Sequence, residues 1–460
     1  MKELKDINKV YFIGIGGIGM SALARYFVSK AKQVSGYDKT ETALTQQLTE
    51  EGIAIHYTDD VSLAPKDADI IVYTPAVPKD HTELVYYQQH NYDILKRSDV
   101  LGLITRSSFN ICVAGTHGKT TITTMIAHIL RHSGYGCNAF LGGIAANYNS
   151  NFWSNERNVC VVEADEYDRS FLKLSPDIAV ISAMDADHLD IYGTPEEMEN
   201  AFIAFAGKIK KEGTLFSKFG LERSNELKAD HHYTYSRQQM SADVHAKNVQ
   251  PDNGGYLFDV KTPQSLIKDV RLYMGGLHNV ENVSVAIGVA KALDIDDEKI
   301  KAAVAAFKGV KRRFEYIVPV VNDKAIVYVD DYAHHPAELE ALIGGAKSLF
   351  AKRKCTVIFQ PHLYSRTNDF ANEFAESLDM ADEVILLPIY PARELPMEGI
   401  NSKLISDKMK NTHKQLLSKE ELLQWIEKEY ANNEGGLLIT AGAGDIDKLI
   451  EPIKAIISKQ

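Results

Sequence analysis

The sequence has few cysteines, no long apolar run and no excess of positive charge. The four cysteines, Cys112, Cys137, Cys160 and Cys355, form no C-x-x-C pair, which argues against a disulfide framework and a cysteine zinc site and predicts a reducing compartment. No stretch approaches the roughly 18 uninterrupted apolar residues of a membrane span. A formal net charge of −11 disfavours broad contact with nucleic acid. We therefore expect a cytoplasmic protein that does not insert into membranes or bind nucleic acid.

The length and composition are those of an ordinary globular protein with several domains. The 460 residues are 45% hydrophobic and 25% charged, and at roughly 150 residues per domain the chain holds about three domains. Short apolar runs followed by glycine or polar turns alternate with apolar residues at helical spacing three times along the chain. This alternation predicts an α/β protein with parallel sheets.

The sharpest local signal is a glycine-containing loop between a predicted strand, Phe109 to Ala114, and a predicted helix. The loop reads Gly115-Thr116-His117-Gly118-Lys119-Thr120-Thr121. Consecutive N–H groups in such a turn, at a helix N-terminus, form a nest for phosphate oxygens. Lys119 would neutralise the β- and γ-phosphates and Thr120 would hold Mg²⁺, although the strict pattern requires glycine where the chain has Val113. The sequence thus predicts a nucleotide site on a shortened phosphate loop.

Carboxylates follow the next two predicted strands. Glu163 ends the strand predicted over 158–162 and opens a run that also contains Asp165, Glu166 and Asp168. The following strand end carries a similar group, consisting of Asp185, Asp187, His188 and Asp190. An isolated acidic cluster is more often a solvated loop, but beside a phosphate loop these residues favour metal binding. We expect Glu163 to bind Mg²⁺ and His188 to be a ligand of a second metal.

A second glycine loop follows the first predicted strand, Lys9 to Ile13. It contains Gly14, Gly16, Gly17 and Gly19, and Asp38 follows nineteen residues after the last glycine. This spacing satisfies the dinucleotide-binding fingerprint and taken alone predicts NAD. The same turn also provides a seat for the diphosphate of a nucleotide sugar. A tight turn without a ligand is the structural alternative.

Polar residues near the middle and in the last third of the chain allow more than one interpretation. Asn279 and Asn282 share a helix face and could contact an adenine edge or form a capping cluster. Arg312 and Arg313 could clamp a transferring phosphoryl group or form surface salt bridges. Histidine, tyrosine and arginine follow two strands of the third predicted sheet and suit a small zwitterion. These last candidates are His334, His362 and Arg366.

Taken together, these blocks resemble the Mur ligase family from end to end and in order. They read GIGGIGMS, AGTHGKTT, EADEYDRSFL, DADHLDIYG, GLHNVENV, RRFE, DDYAHHP, FQPHLYSRT and AGAGDI. The resemblance implies a Rossmann-like UDP-sugar domain (1–106), a central P-loop ATPase-type domain with a mixed or parallel sheet (107–312) and a Rossmann-like amino-acid domain (313–460). The implied reaction joins L-alanine to the lactyl carboxylate of UDP-N-acetylmuramate through an acyl phosphate, in peptidoglycan precursor synthesis. It would use ATP with Mg²⁺ or Mn²⁺, in a monomer or homodimer.

The resemblance also implies roles for individual residues. Catalysis would depend on Lys119, Glu163, His188, Arg312 and Arg313, and the metal would be bound by Thr120, Glu163 and His188. The ATP site would consist of Gly115, Thr116, His117, Gly118, Lys119, Thr120, Thr121, His278, Asn279, Asn282 and Asp331. The UDP-sugar would contact Gly14, Gly16, Gly17, Gly19 and Asp38, and the L-alanine pocket would contain His334, His362 and Arg366.

Two departures from the family pattern limit this transfer. Leu363 stands where some members carry arginine, so we assign carboxylate recognition to Arg366. Lys208, Lys210 and Lys211 lie at the end of the helix after the metal histidine, so no carbamylated lysine is assigned. Three alternatives remain at this point: a muropeptide-recycling member that adds a tripeptide to the same sugar nucleotide, an NAD-dependent oxidoreductase, and a non-catalytic nucleotide-binding regulator.

Overall fold

The computed structural model describes residues 4–185, 189–322, 324–392, 394–431 and 435–458. Over these residues the chain is an α/β protein with three β-sheets, as the alternating pattern predicts. The chain divides into two compact units. The first comprises Met1–Lys247, Asp259–Lys268 and Glu281–Ala306; the second comprises Asn248–Phe258, Asp269–Val280 and Phe307–Gln460.

The first unit begins with a parallel sheet in the order β3-β2-β1-β4-β5. Its central strand, β1, is buried at four of its five residues, as expected for a parallel strand covered on both faces. The strands are β1 Lys9–Ile13, β2 Gln33–Tyr37, β3 Ala54–His56, β4 Ile70–Tyr73 and β5 Ile94–Lys96. The helices are α1 Ile18–Ser29, α2 Ala43–Glu50, α3 Thr82–Gln89 and α4 Arg97–Arg106.

The middle of the chain forms the second sheet, which in the first unit has the order β13-β12-β11-β10-β6-β9-β7-β8. All these pairs are parallel except the β7–β8 hairpin. These eight strands are β6 Phe109–Ala114, β7 Asn138–Ala145, β8 Ser150–Trp153, β9 Val159–Glu163, β10 Ile178–Ile181, β11 Thr214–Lys218, β12 His231–Ser236 and β13 Val244–Asp252. Two further strands follow along the chain, β14 Gly255–Lys261 and β15 Leu266–Leu272. The helices are α5 Lys119–His132, α6 Leu189–Tyr192, α7 Pro195–Ala206, α8 Leu277–Ala292 and α9 Asp297–Ala306.

The second unit contains the third sheet, in the order β16-β17-β21-β18-β19-β20. It is parallel except for its edge strand β16, which pairs antiparallel with β17. The strands are β16 Glu315–Val318, β17 Val327–Asp331, β18 Cys355–Phe359, β19 Glu383–Leu386, β20 Lys414–Leu416 and β21 Leu437–Ala441. The helices are α10 Pro336–Leu349, α11 Tyr364–Asp369, α12 Ala371–Leu378, α13 Lys403–Ser406, α14 Lys419–Trp425 and α15 Ile450–Ile457.

One apolar core connects the first two sheets inside the first unit. Phe27 on α1 and Phe140 on β7 belong to the same cluster of buried side chains, and the rings of Tyr26 and Phe140 lie 5.4 Å apart. Arg25 adds a polar link, because it hydrogen-bonds the side chain of Asn151 on β8. Asn151 also donates a hydrogen bond to the carbonyl of Ile18, which places the start of α1 beside β8.

Candidate nucleotide and substrate site

The phosphate loop runs from the end of β6 to the start of α5. Lys119, the first residue of α5, donates hydrogen bonds from Nζ to the carbonyl of Gly115 at 2.8 Å and to Oε1 of Glu166 at 2.7 Å. The hydroxyl of Thr116 is buried and has no hydrogen-bond partner within the described residues. A buried donor without a partner is uncommon in folded proteins. The loop therefore fits a ligand that supplies acceptor oxygens, such as a phosphate.

Glu166 is the counterion of the loop lysine, a role that the sequence did not suggest for it. Its side chain is 1% exposed and that of Lys119 is 14% exposed. Burial raises the pKa of the Glu166 carboxyl, and the charge and hydrogen bond of Lys119 oppose that rise. The lysine is thus held in place by a buried ion pair.

Thr120 and Glu163 lie together next to the loop, as the metal prediction requires. The Thr120 hydroxyl donates to Glu163 Oε1 at 3.0 Å, and the N–H of Gly142 donates to Oε2 at 3.0 Å. A Cβ at position 142 would lie 2.3 Å from Oε2, so a side chain there would displace the carboxylate. A hydroxyl and a carboxylate at this distance are the oxygen ligands that Mg²⁺ prefers, and the pair therefore fits that ion.

The other predicted metal ligand, His188, lies outside the described residues, as does Asp187. Asp185, which precedes these residues in the chain, and His117 of the phosphate loop are both exposed. Nε2 of His117 lies 3.9 Å from Oδ2 of Asp185. Within the described ranges, no group of three histidine, cysteine or carboxylate side chains is arranged to hold a metal. Lys210 donates to the Ser108 carbonyl and to Asp177.

The first glycine loop borders a cavity of about 470 Å³ in the first unit. Asp38 lines this cavity and accepts a hydrogen bond from the N–H of Gly16 at 2.7 Å. His81 also lines this cavity, with its ring centroid 4.6 Å from that of Tyr37. Both of its ring nitrogens are buried, and Nδ1 lies 3.4 Å from Oδ1 of Asp59. Other lining residues are Gly14, Gly17, Lys39, Asp59, Thr74, Ala76, Val77, Pro78 and Asp80.

A second cavity of about 240 Å³, called here the junction cavity, lies between the first two sheets. One wall comes from the start of α1 and from α4, and the other comes from β7 and the end of β9. Its lining residues are Ile18, Gly19, Ala22, Arg97, Leu101, Phe140, Leu141, Gly142, Glu163 and Asp165. Sequence reasoning missed Arg97 and Gly142, because no local motif distinguishes them.

In the second unit, the side chain of Arg312 makes hydrogen bonds at the edge of the third sheet, at the ends of β17 and β21. Its Nε donates to Oδ2 of fully buried Asp330 at 3.0 Å, and its Nη2 donates to the carbonyl of Gly442 at 2.6 Å. Asp331 accepts from the backbone N–H groups of Phe314 and Ala333, and burial raises its pKa to about 6. Arg313 is exposed.

His334, His362 and Arg366 form a second group in this unit. The rings of His334 and His362 are 5.9 Å apart, and the ring of Tyr390 stacks on His362 at 5.8 Å. Nδ1 of His362 and Nη1 of Arg366 are buried and lack hydrogen-bond partners within the described ranges. Burial, with positive charge from His334 and Arg366, lowers the pKa of His362. A neutral imidazole beside a guanidinium fits an amino acid that presents both a carboxylate and an amine.

The two asparagines in the first turns of the long helix α8 differ in their surroundings. The Asn279 side chain is buried and donates to the carbonyl of Gly275 at 2.7 Å, just before the helix. Asn282 lies next to the phosphate loop, with Oδ1 3.1 Å from the position that a Cβ on Gly118 would take. His278 lies beside Gly276 at the start of the same helix.

Three family descriptions match the chain in succession. "Mur ligase family, catalytic domain" matches residues 9–108, "Mur ligase middle domain" matches 113–290 and "Mur ligase, glutamate ligase domain" matches 312–444.

Similar proteins cover nearly the whole chain. A Flavobacterium johnsoniae protein named "UDP-N-acetylmuramate--L-alanine ligase" is 47% identical over 99% of both chains, and a Parabacteroides distasonis protein of the same name is 48% identical over 99% of both. The solved structure of the UDP-N-acetylmuramate-alanine ligase from Thermotoga maritima is 28% identical, covers 98% of each chain and superposes with a TM-score of 0.79. A murein peptide ligase from Psychrobacter arcticus is 22% identical with a TM-score of 0.65 and shares the fold.

Proposed function

The chain belongs to the Mur ligase family, and on that basis we propose that it is an ATP-dependent ligase that joins L-alanine to the lactyl carboxylate of UDP-N-acetylmuramate. This reaction belongs to peptidoglycan precursor synthesis. The observation that carries the proposal is the full-length match to relatives of that name at 47% and 48% identity. The phosphate loop, the Thr120–Glu163 pair and the zwitterion pocket supply the groups that the reaction needs.

ATP binds at the phosphate loop, with Lys119 beside the β- and γ-phosphates. The buried Thr116 hydroxyl offers a further donor. His117 and Thr121 belong to the same loop, and Asn282 lies beside it. His278, Asn279 and Asp331 are assigned to ATP by the family resemblance. Because Arg312 is engaged with Asp330 and Gly442, we assign the phosphoryl clamp to exposed Arg313.

Mg²⁺ would be held by Thr120 and Glu163, with His188 as a further ligand, and Mn²⁺ would suit the same oxygen donors. When bound, the ion would neutralise negative charge on the phosphates. The protein's own contribution is to keep the two oxygens together, since Gly142 holds the other carboxylate oxygen of Glu163 through its backbone N–H.

The chemistry proceeds in two steps. A lactyl carboxylate oxygen attacks the γ-phosphorus in line, the bond to ADP breaks and an acyl phosphate forms, while Lys119 stabilises the phosphoryl charge. The neutral amine of L-alanine then attacks the acyl carbon, and the tetrahedral intermediate loses a proton and releases inorganic phosphate. Arg366 would bind the alanine carboxylate, with His334 and the neutral imidazole of His362 beside the amine. Holding the reactants together supplies much of the rate.

The sugar nucleotide would bind at the first glycine loop, with its diphosphate beside Gly14, Gly16, Gly17 and Gly19. We place the reaction in the cytoplasm, where ATP is present and four free cysteines remain reduced. Over the described residues, no helix is long and apolar enough to cross a membrane. We expect a monomer or a homodimer, which light scattering on the purified protein distinguishes.

A phosphate-release assay with ATP, UDP-N-acetylmuramate and each amino acid in turn tests the proposal. L-Alanine should give the highest turnover. Faster turnover with a tripeptide would favour the recycling ligase, and nicotinamide-dependent oxidation would favour the oxidoreductase. Lys119→Ala should abolish amide formation while the protein stays folded by circular dichroism. Exposed Lys299 provides the control, because Lys299→Ala should keep normal turnover; near-normal turnover by folded Lys119→Ala would overturn the assignment.

A further inference from the structure

The junction cavity brings the sugar-nucleotide side and the phosphate-loop side of the first unit together. Gly19 belongs to the first glycine loop and helix α1, whereas Glu163 shares a hydrogen bond with Thr120 of the phosphate loop. A group bound in this cavity would therefore lie between the two substrates that react first. Among its lining residues Arg97 is the cation, opposed by the carboxylates of Glu163 and Asp165.

Arg97 reaches the cavity from the first turn of α4. Its Nη2 donates to Asp165 Oδ2 at 3.3 Å, and its side chain is 25% exposed. A Cβ at position 19 would lie 2.5 Å from Nη1, so the guanidinium packs directly against the backbone at the start of α1. A guanidinium has five N–H donors, and among the described residues Arg97 hydrogen-bonds Asp165, which leaves most of these donors available to a ligand.

An anionic group can enter this cavity only if its charge is compensated, because two carboxylates already line the walls. The planar fork of arginine matches a carboxylate through two parallel N–H···O bonds. We propose that Arg97 binds the lactyl carboxylate of the sugar nucleotide and holds it beside Glu163 for phosphorylation. This inference rests on the proposed function and assigns the acceptor carboxylate to one named residue.

The sugar nucleotide also carries a diphosphate, which a guanidinium could bind. The proposed function places the diphosphate at the first glycine loop, where Gly14 and Gly17 border the larger cavity. Arg97 packs against Gly19 at the end of that loop but does not line the larger cavity. The position of Arg97 next to Glu163 therefore favours the carboxylate.

Calorimetric titration with two sugar nucleotides distinguishes binding of the lactyl carboxylate from binding of the diphosphate. UDP-N-acetylmuramate carries the lactyl acid, and UDP-N-acetylglucosamine is the same molecule without it. Arg97→Met should weaken binding of UDP-N-acetylmuramate by about 10- to 100-fold, the range for a hydrogen bond to a charged group, and should change binding of UDP-N-acetylglucosamine by less than about threefold. Equal weakening of both ligands, or of neither, would overturn the inference.

Three further variants exclude a purely structural effect. Arg97→Lys, which keeps the charge but loses the fork, should retain part of the preference for the lactyl acid. Lys96→Met is the matched control, because Lys96 Nζ reaches Asp168 at 3.2 Å in the same acidic loop but does not line the cavity; it should keep the full preference. If Asp165→Asn reproduced the loss seen in Arg97→Met, Arg97 would act only by holding Asp165, and the inference would fail.

The phosphate-release assay distinguishes failure of this inference from failure of the proposed function. If the wild-type protein forms no product from L-alanine, the proposed function fails. If it forms product and Arg97→Met keeps the wild-type preference for the lactyl acid, only the assignment of Arg97 fails.

Discussion

The buried ion pair between Lys119 and Glu166 leads to a prediction about stability. Glu166→Gln removes the negative charge and leaves the Lys119 ammonium, which is 14% exposed, with the Gly115 carbonyl as its remaining hydrogen-bond acceptor among the contacts described above. Breaking a buried pair by removing one partner costs about 3–5 kcal/mol. Because Lys119 keeps some solvent contact and one hydrogen bond, we expect about 3 kcal/mol, the lower end of that range.

Calorimetric unfolding without nucleotide measures this loss. For a unit of this size a loss of that magnitude lowers Tm by roughly 2 °C per kcal/mol, hence by about 6 °C. MgATP should recover much of the loss, because its phosphates replace the missing negative charge and ligand binding stabilises the folded state. Lys119→Met should also be destabilising, since it leaves a carboxylate buried without its cation.

A double-mutant cycle decides whether the charge pair is responsible. The double variant Lys119→Met with Glu166→Gln leaves no unpaired charge, so it should be more stable than Glu166→Gln alone. Strictly additive losses from the two substitutions, or a Glu166→Gln protein with the wild-type Tm, would refute the reasoning.

Two further predictions concern the alanine pocket and the pH dependence of folding. Arg366→Met should raise the KM for L-alanine by about 10- to 100-fold, because a charged hydrogen bond is lost, and should leave the KM for UDP-N-acetylmuramate unchanged; equal rises in both KM values would contradict the assignment. His128 is buried between the Ala303 carbonyl and the Tyr148 hydroxyl, and burial lowers its pKa to about 4. Because the unfolded value is about 6.5, the free energy of unfolding should fall by about 3 kcal/mol as the pH drops from about 6.5 to about 4. His128→Gln should lose this part of the pH dependence in urea titrations, and an unchanged pH profile would exclude His128 as its source.

Local sequence patterns predicted the elements that begin or end at the site. Away from the site, local sequence also sets the start of α7: Thr194 caps the helix by accepting from the N–H of Glu197, and Pro195 occupies the first turn, an order of residues typical of a helix start. Both glycine loops follow their predicted strands for a similar reason, because the turn and the adjoining helix are specified within a few residues.

The features that sequence reasoning missed depend on contacts between distant segments. The edge strand β16 pairs antiparallel with β17. Its four residues are too few to show the alternation of apolar and polar side chains that identifies a strand. Arg312 pairs with Asp330 only because the end of β17 comes beside it. Gly142 contacts Glu163 from a neighbouring strand of the same sheet, and Arg97 on α4 lines the same cavity as both residues. Such proximity depends on the packing of whole elements, which no window of local sequence contains.

The central claim is that ATP is split at the Lys119 loop to activate a sugar acid as an acyl phosphate. The most direct test supplies UDP-N-acetylmuramate labelled with oxygen-18 in its lactyl carboxylate, with ATP and L-alanine, and measures the label in the released phosphate by mass spectrometry. We predict one labelled oxygen in each phosphate formed. Product formation with unlabelled phosphate would contradict the acyl-phosphate route.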